Sequence, residues 1–346
     1  MSSMAPKRTA VLVAGSWGTA LARVLADNGH AVALWTRNAV QAEEINAHRR
    51  NARFLPNAEL PAGIRAVTDM KEALAGVDMV LFAPPSAAMR EVAKLALPDL
   101  PPQALVVHAT KGFESASLKR MSTVLAETLG REESSIVCLS GPSHAEEVIE
   151  RHPTTVVVAS PSKDCAQAAQ DYFMNDAYFR VYTNPDLIGV ETSGSVKNII
   201  ALGAGLSDGL GFGDNAKAAL ITRGLAEIAR LGIEMGANPM TFAGLAGVGD
   251  LVVTCTSRHS RNWRAGSMLA QGLPLEEVLA RMGMVVEGVR TTESAYRLAE
   301  KYGVEMPITA QLHAVLFERK APRQAVLDLM GRDRTHEIEQ SGEPDL

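Results

Sequence analysis

TAVLVAGSWGTA, residues 9–20, is the stretch that decides the fold. An apolar run rich in small and β-branched residues breaks at Gly15 and Gly18 and passes into the amphipathic segment Thr19–Asn28, which predicts a strand, a tight turn and a helix. At such a turn the helix N-terminus presents free N–H groups to a pyrophosphate. Gly15 and Gly18 hold the second and third glycine positions of G-x-G-x-x-G, and Val13 stands at the first. Gly15 permits close approach of the backbone to a ligand, and Gly18 permits close packing of helix on strand. The first glycine chiefly serves the turn. Valine is compatible with that position if its dihedrals stay extended, and the expectation is that they do and that nucleotide binding survives. Taken alone, the partial motif fits a turn without a ligand equally well.

Outward from this unit the first half alternates β-rich and helical patterns. Candidate strands are Ala10–Ala14, Ala31–Trp35, Met79–Ala83, Ala104–His108, Ile136–Leu139, Thr155–Ala159 and Phe179–Tyr182, with helical segments such as Thr19–Asn28, Ala87–Ala96 and Lys119–Leu129 between them. That alternation predicts a mostly parallel sheet covered on both faces, with ligands at the carboxyl ends of its strands. From about Pro185 the pattern becomes helical, with segments near Asp186–Gly205, Ala216–Met235, Ala265–Gln271, Leu275–Met282, Thr291–Tyr302 and Ile308–Phe317. The fold class expected is α/β: a Rossmann-type domain over residues 1–185, followed by an all-α domain over 186–346. A polar tail after Gly331 is expected to be loosely ordered.

Composition narrows the function. With 346 residues, 47% of them hydrophobic, the chain is long enough for two cores. A net charge of −5 with interspersed signs gives neither a nucleic-acid footprint nor a polybasic membrane anchor. Cys138, Cys165 and Cys255 lie far apart, which suits a reducing cytoplasm better than a disulfide framework or a zinc site. The apolar run at Ala10–Ala14 reads as a strand in preference to a secretory signal, and Val196–Leu206 is too short to span a bilayer. No histidine spacing supports a metal.

Several residues carry chemistry. The second strand ends LWTRN, with Arg37 and no carboxylate, which favours the 2′-phosphate of NADP(H) or tolerance of both NADP(H) and NAD(H). SGSVKNIIALGAG places Lys197 inside an apolar helix, where desolvation and a second ammonium would lower its pKa into the range of a proton donor and acceptor. Lys111, in HATKGFE at the end of a candidate strand, is the natural second cation. Ser260, Arg261 and Asn262 open a helical pattern with a cap, a guanidinium and an amide, a suitable anion site. Asp250, at an apolar glycine-rich turn, would orient Lys197, accept a substrate hydroxyl or merely cap a helix.

In order, GSWGTALA, FLPN, ATKGFE, SGPSHAEE, VKNIIALGAG, SDGLGFGDNAKAALITRGLAEI, GVGDLVVTCTS, SRN, VVEGVRT and EMPIT resemble the bacterial NAD(P)-dependent sn-glycerol-3-phosphate dehydrogenases from about residue 10 to about residue 330. The resemblance implies reversible reduction of dihydroxyacetone phosphate to sn-glycerol 3-phosphate for glycerophospholipid synthesis, and a homodimer. It implies Lys197 as the catalytic proton acceptor and donor. Lys111, Gly141, Ser143, Asp250, Ser260, Arg261 and Asn262 would line the substrate. Ser16, Trp17, Arg37, Lys111, Ala145, Arg261, Val285 and Glu287 would contact the cofactor, with Asn198 and Thr254 as further contacts. Two departures stand out: Val13 for the usual first glycine, and Ser193 and Ser195 in SGSVKN, whose hydroxyls need partners if buried. The competing readings are a related 3-hydroxy acid dehydrogenase, which would need carboxylate recognition that SRN and GVGD do not suggest, and a non-catalytic dinucleotide sensor, which would not require Lys197 with Lys111.

Overall fold

The computed structural model describes residues 6–334, 336 and 337. An eight-stranded sheet is formed by β1 (Arg8–Leu12), β2 (Ala31–Trp35), β3 (Ile64–Val67), β4 (Met79–Phe82), β5 (Leu105–His108), β6 (Ile136–Ser140), β7 (Thr154–Ala159) and β8 (Phe179–Asn184), in the order β3-β2-β1-β4-β5-β6-β7-β8. All neighbouring strands are parallel except β6 and β7. Helices α1 (Ser16–Asp27), α2 (Ala39–His48), α3 (Met70–Leu74), α4 (Met89–Ala96), α5 (Met121–Leu129), α6 (Ala145–Ile149) and α7 (Lys163–Phe173) connect them. Then come α8 (Leu187–Gly209), α9 (Asp214–Glu234), α10 (Asp250–Thr256), α11 (Arg261–Ala270), α12 (Leu275–Met282), α13 (Glu287–Tyr302), α14 (Pro307–Phe317) and α15 (Pro322–Met330), with no strand among the described residues after β8.

The sheet has a core on each face because its strands are apolar at both parities. Val11, Met79, Leu81, Val107, Val137 and Leu139 pack into one cluster, while Ala10, Leu12, Val80, Phe82, Val106 and Ile136 pack into the other. β3 was not among the expected strands; IRAV is only four residues long and alternates one exposed arginine with buried positions at the sheet edge. In the helical half α8 is buried on nearly every side, apolar through most of its C-terminal half and carrying Glu191, Lys197 and Asn198 as buried polar groups. Its closest neighbour is α11. A Cβ on Gly205 would lie 1.8 Å from the Trp263 carbonyl, and one on Gly266 would lie 2.0 Å from the Leu202 carbonyl, so this crossing needs glycine on both helices. Much of the tail expected after Gly331 lies outside the described residues.

The first turn corrects one expectation. Val13 is not extended: its φ is +87°, in the left-handed half of dihedral space, so β1 ends at Leu12 and not at Ala14. The Val13 N–H still donates to the Trp35 carbonyl at 3.1 Å, while its own carbonyl turns toward α1, where a Cβ on Gly18 would come within 2.3 Å of it. The turn therefore keeps the geometry of a glycine while holding a β-branched residue, at a cost of about 1–3 kcal/mol.

Val13→Gly is accordingly expected to hold or raise the stability to unfolding. Relief of about 1–3 kcal/mol of strain faces roughly 0.5–1 kcal/mol of added freedom in the unfolded chain and about 1 kcal/mol of lost packing for a half-buried side chain. Chemical denaturation measures the difference, and a loss above about 1 kcal/mol would show that the valine conformation is not costly.

Candidate active site

The carboxyl ends of β1, β2, β4, β5 and β6 face one edge of the sheet, and the loops leaving them carry most of the candidate residues. Ser16 and Trp17 follow β1, Arg37 follows β2, Ser86 follows β4, Lys111 follows β5, and Gly141, Ser143 and Ala145 follow β6. This edge is where an open doubly wound sheet binds ligands. Helix α1 begins beyond Gly15 without a side-chain cap, and no heavy atom lies within 4 Å of where a Cβ on Gly15 would be. The backbone at the start of α1 is thus open beside Gly15, an arrangement that fits close approach of a pyrophosphate to the helix N-terminus.

At the centre of the site is Asp250, the first residue of α10, which is 1% exposed. One of its oxygens lies 2.6 Å from Lys111 Nζ and the other 2.5 Å from Lys197 Nζ. Lys197, 4% exposed on α8, also donates to Thr254 Oγ1 at 2.5 Å, and the Thr254 hydroxyl donates in turn to the Asp250 carbonyl at 2.6 Å. Of the three roles open to Asp250 from sequence, the structure shows it holding Lys197 and not capping a helix; the residue before α10 is Gly249.

Electrostatics follow from this geometry. Burial pushes the Lys197 ammonium down to about 7; Asp250 opposes that fall and Lys111 adds to it. Burial raises the Asp250 carboxyl, but the charges of Lys111 and Lys197 outweigh it and hold the group below its ordinary value. A lysine that changes charge near neutrality, fixed by a carboxylate and a hydroxyl, can deliver and recover a proton.

Around this pair the remaining candidates fall into two groups. Ser260 caps α11 by accepting from the Trp263 N–H at 3.2 Å, and Arg261 donates from Nη1 to the Val285 carbonyl at 3.1 Å, which leaves the rest of its guanidinium for an anion. Asn262 accepts from the Gly288 N–H and donates to Asn198 Oδ1 at 2.8 Å, joining α8, α11 and α13. Ser143 donates to the Gly141 carbonyl at 2.9 Å, and Ala145 begins α6. Glu287 receives the Ser86 N–H at 3.2 Å and the Ser86 hydroxyl at 2.9 Å; burial raises its carboxyl, and the Ser86 donors oppose that rise. Ser16 donates to the Phe54 carbonyl at 3.4 Å, and Trp17 is half-buried against the sheet core. Arg37 stands at the outer rim and touches neither lysine; its partners are Glu91 and the Trp35 ring.

Of the two departing serines, Ser195 is satisfied, donating to the Glu191 carbonyl at 2.7 Å and accepting from the Gly112 N–H at 2.8 Å. The Ser193 hydroxyl is buried without a partner. Reading by motif missed Glu191, Ser86 and Glu91. Glu191 is buried on α8, where it accepts from Arg120 Nη1 at 2.6 Å, the Ser122 N–H at 2.8 Å and the Ser122 hydroxyl at 2.5 Å, with His108 Nε2 at 3.2 Å. Its signal was available, since a carboxylate in an apolar helix is as anomalous as Lys197. Among the described residues no group of histidines, cysteines and carboxylates is placed to hold a metal ion.

The chain matches known proteins over most of its length. Residues 8–166 match the N-terminal profile of NAD-dependent glycerol-3-phosphate dehydrogenase, and residues 186–327 match the C-terminal profile. Curated relatives called glycerol-3-phosphate dehydrogenase (NAD(P)+) include one from Geobacillus thermodenitrificans, 60% identical over 95% of this chain and 96% of its own length. Another, from Bacillus subtilis, is 57% identical over 96% of each. The crystal structure of a glycerol-3-phosphate dehydrogenase from Coxiella burnetii superposes with a TM-score of 0.89 at 41% identity, covering 94% of this chain and 99% of that one. A ketopantoate reductase from Ralstonia eutropha, at 19% identity and a TM-score of 0.60, shares the fold.

The ligand-free protein should show the Lys197 amine titrating near 7, far from its ordinary 10.5, by NMR of labelled lysine side chains. In Asp250→Asn the titration should move lower still, because the anion that opposes burial is gone. A value close to 10.5 in the parent protein would mean that burial does not outweigh the attraction of Asp250, and that Lys197 is not poised near neutrality.

Proposed function

This chain belongs to the NAD-dependent glycerol-3-phosphate dehydrogenase family, and from that premise we propose that Lys197 is the proton donor and acceptor of the reaction. The protein is a glycerol-3-phosphate dehydrogenase that uses NAD(P)H and reversibly reduces dihydroxyacetone phosphate to sn-glycerol 3-phosphate. The observation that carries the Lys197 assignment is its burial on the same carboxylate as Lys111.

When bound, the reduced nicotinamide supplies a hydride to C2 of the ketone. Negative charge then develops on the carbonyl oxygen, and the Lys197 ammonium, fixed by Asp250 and Thr254, stabilises it and passes over one proton. The alcohol and the oxidised cofactor result, and the neutral amine recovers its proton from solvent. Oxidation runs the same path backwards, with the neutral Lys197 amine accepting the hydroxyl proton. Lys111 keeps a second positive charge at the site and touches substrate and cofactor. Arg261, with the N-terminus of α11, holds the phosphate. Gly141, Ser143, Asp250, Ser260 and Asn262 line the substrate, with Asn198 and Thr254 beside them. Ser16, Trp17, Arg37, Ala145, Val285 and Glu287 hold the cofactor, with Arg37 favouring NADPH.

We assign residues 1–185 to cofactor binding and 186–346 to substrate and catalysis, because the sheet ends at Asn184 and α8 starts at Leu187. A homodimer assembled through the helical half belongs to the same reading; the exposed Met240, Leu327 and Met330 support it, and light scattering on the purified protein tests it. A cytoplasmic location accords with three unpaired cysteines, and no helix among the described residues is long and apolar enough to cross a membrane.

Lys197→Ala should lose about 10²- to 10⁴-fold in turnover with cofactor affinity nearly intact; retention of more than about a tenth of turnover would remove the assignment. Arg261→Ala should mainly raise the KM for dihydroxyacetone phosphate, since the phosphate is held in both ground and transition states. An unchanged KM with a lower kcat would rule out the anchor role. Reduction needs the ammonium, so its kcat/KM should be level below about 7 and fall as pH rises through that value, whereas oxidation should rise through it.

A further inference from the structure

The residue that ends β2 in NAD-specific sheets is an acid on the ribose hydroxyls, and here LWTRN provides none. A carboxylate nevertheless reaches that place from another part of the chain. Glu91, in the first turn of α4, lies 2.9 Å from Arg37 Nη2. In the strand order β2-β1-β4, Arg37 follows the strand on one side of β1 and Glu91 follows the strand on the other, so the pair links the two segments that flank the carboxyl end of β1. The guanidinium is aimed from below by the Trp35 ring, 5.7 Å from its centroid, and Trp35 is itself tied by its indole N–H to the Thr68 carbonyl at 3.0 Å. Both charged side chains remain open to solvent, with 53% of Arg37 and 61% of Glu91 exposed, so either can exchange its partner for a ligand.

We propose that Glu91 sets the balance between NADPH and NADH by competing with the 2′-phosphate for Arg37. With NADPH the phosphate takes the guanidinium and the Glu91 carboxylate must give way, so part of the attraction goes to breaking the existing pair. With NADH the pair stays intact, and Glu91 can accept a hydrogen bond from the ribose 2′-hydroxyl. Each cofactor therefore uses one member of the pair, which gives a physical basis for use of both. Glu91 also lies close enough to Arg37 to repel a phosphate there directly. The inference rests on the reading of Arg37 as the 2′-phosphate contact.

The test is the dissociation constants of NADPH and NADH, measured by nucleotide fluorescence for the parent protein, Glu91→Gln, Arg37→Ala and the double variant. Exposed ion pairs of this kind correspond to about two- to fivefold in binding. Glu91→Gln should therefore tighten NADPH and leave NADH unchanged or weaker, raising the preference for NADPH by about two- to fivefold. In the Arg37→Ala background the same substitution should lose most of that effect. An unchanged preference in Glu91→Gln, or equal tightening of both nucleotides, overturns the proposal while leaving Arg37 assigned if Arg37→Ala alone lowers the preference. A preference unchanged by Arg37→Ala overturns the reading of Arg37 itself, and the role of Glu91 falls with it. Both side chains are exposed, and unfolding curves of the variants verify that the fold is retained.

Discussion

The carboxylate of Asp250 is the point on which the site depends. It receives an ammonium from each half of the molecule, Lys111 from the end of β5 and Lys197 from α8. Two like charges brought this close in a buried space would repel and shed protons, and the anion between them keeps the arrangement charged. The compromise is a lysine displaced to about 7, held by burial on one side and by Asp250 on the other. Moving either half of the chain would change that balance, so the relative placement of sheet and helices is a chemical requirement as well as a packing one.

Two further contacts serve that placement. Glu191, six residues before Lys197, sits under the N-terminus of α5, taking the Ser122 N–H and the Arg120 guanidinium, beside His108, three residues before Lys111. Its carboxyl is displaced to about 2: burial would raise it, and the charge of Arg120, followed by His108, more than offsets this. A buried ion cluster of this kind adds little net stability over an apolar core, but loss of one partner would leave a buried charge uncompensated. Ser195 adds a neutral tie, joining the Gly112 N–H beside Lys111 to the backbone of α8. On the other flank the glycine contacts between α8 and α11 bring Ser260, Arg261 and Asn262 against the same helix.

The nucleotide edge follows a different logic. There the binding groups are backbone N–H groups and exposed side chains, and what matters is space. Gly15 keeps it open, Gly18 lets α1 approach the Val13 carbonyl, and Val13 holds a conformation that glycine would adopt freely. Strain at such a turn is tolerable because the hydrogen bond to β2 and the packing of α1 fix the backbone on both sides.

Sequence by itself determined the class of the fold, because periodicity records burial: strands apolar at both parities require a sheet covered on two faces, and apolar positions at helical spacing after Pro185 require helices packed on one another. It also marked Lys197, since a lysine in an apolar helix is anomalous wherever the chain goes. Short edge elements such as β3 escaped it, because four residues carry too little pattern to rise above their surroundings. Only the tertiary structure decided that Asp250 joins the two lysines, that Glu191 and His108 meet, that Glu91 closes on Arg37 and that Val13 turns to positive φ. The three contacts join residues more than 50 apart in the chain, and the Val13 angle is set between its hydrogen bond to Trp35, 22 residues on, and the packing of α1 against its carbonyl. A local pattern carries no record of what the rest of the chain will place against it.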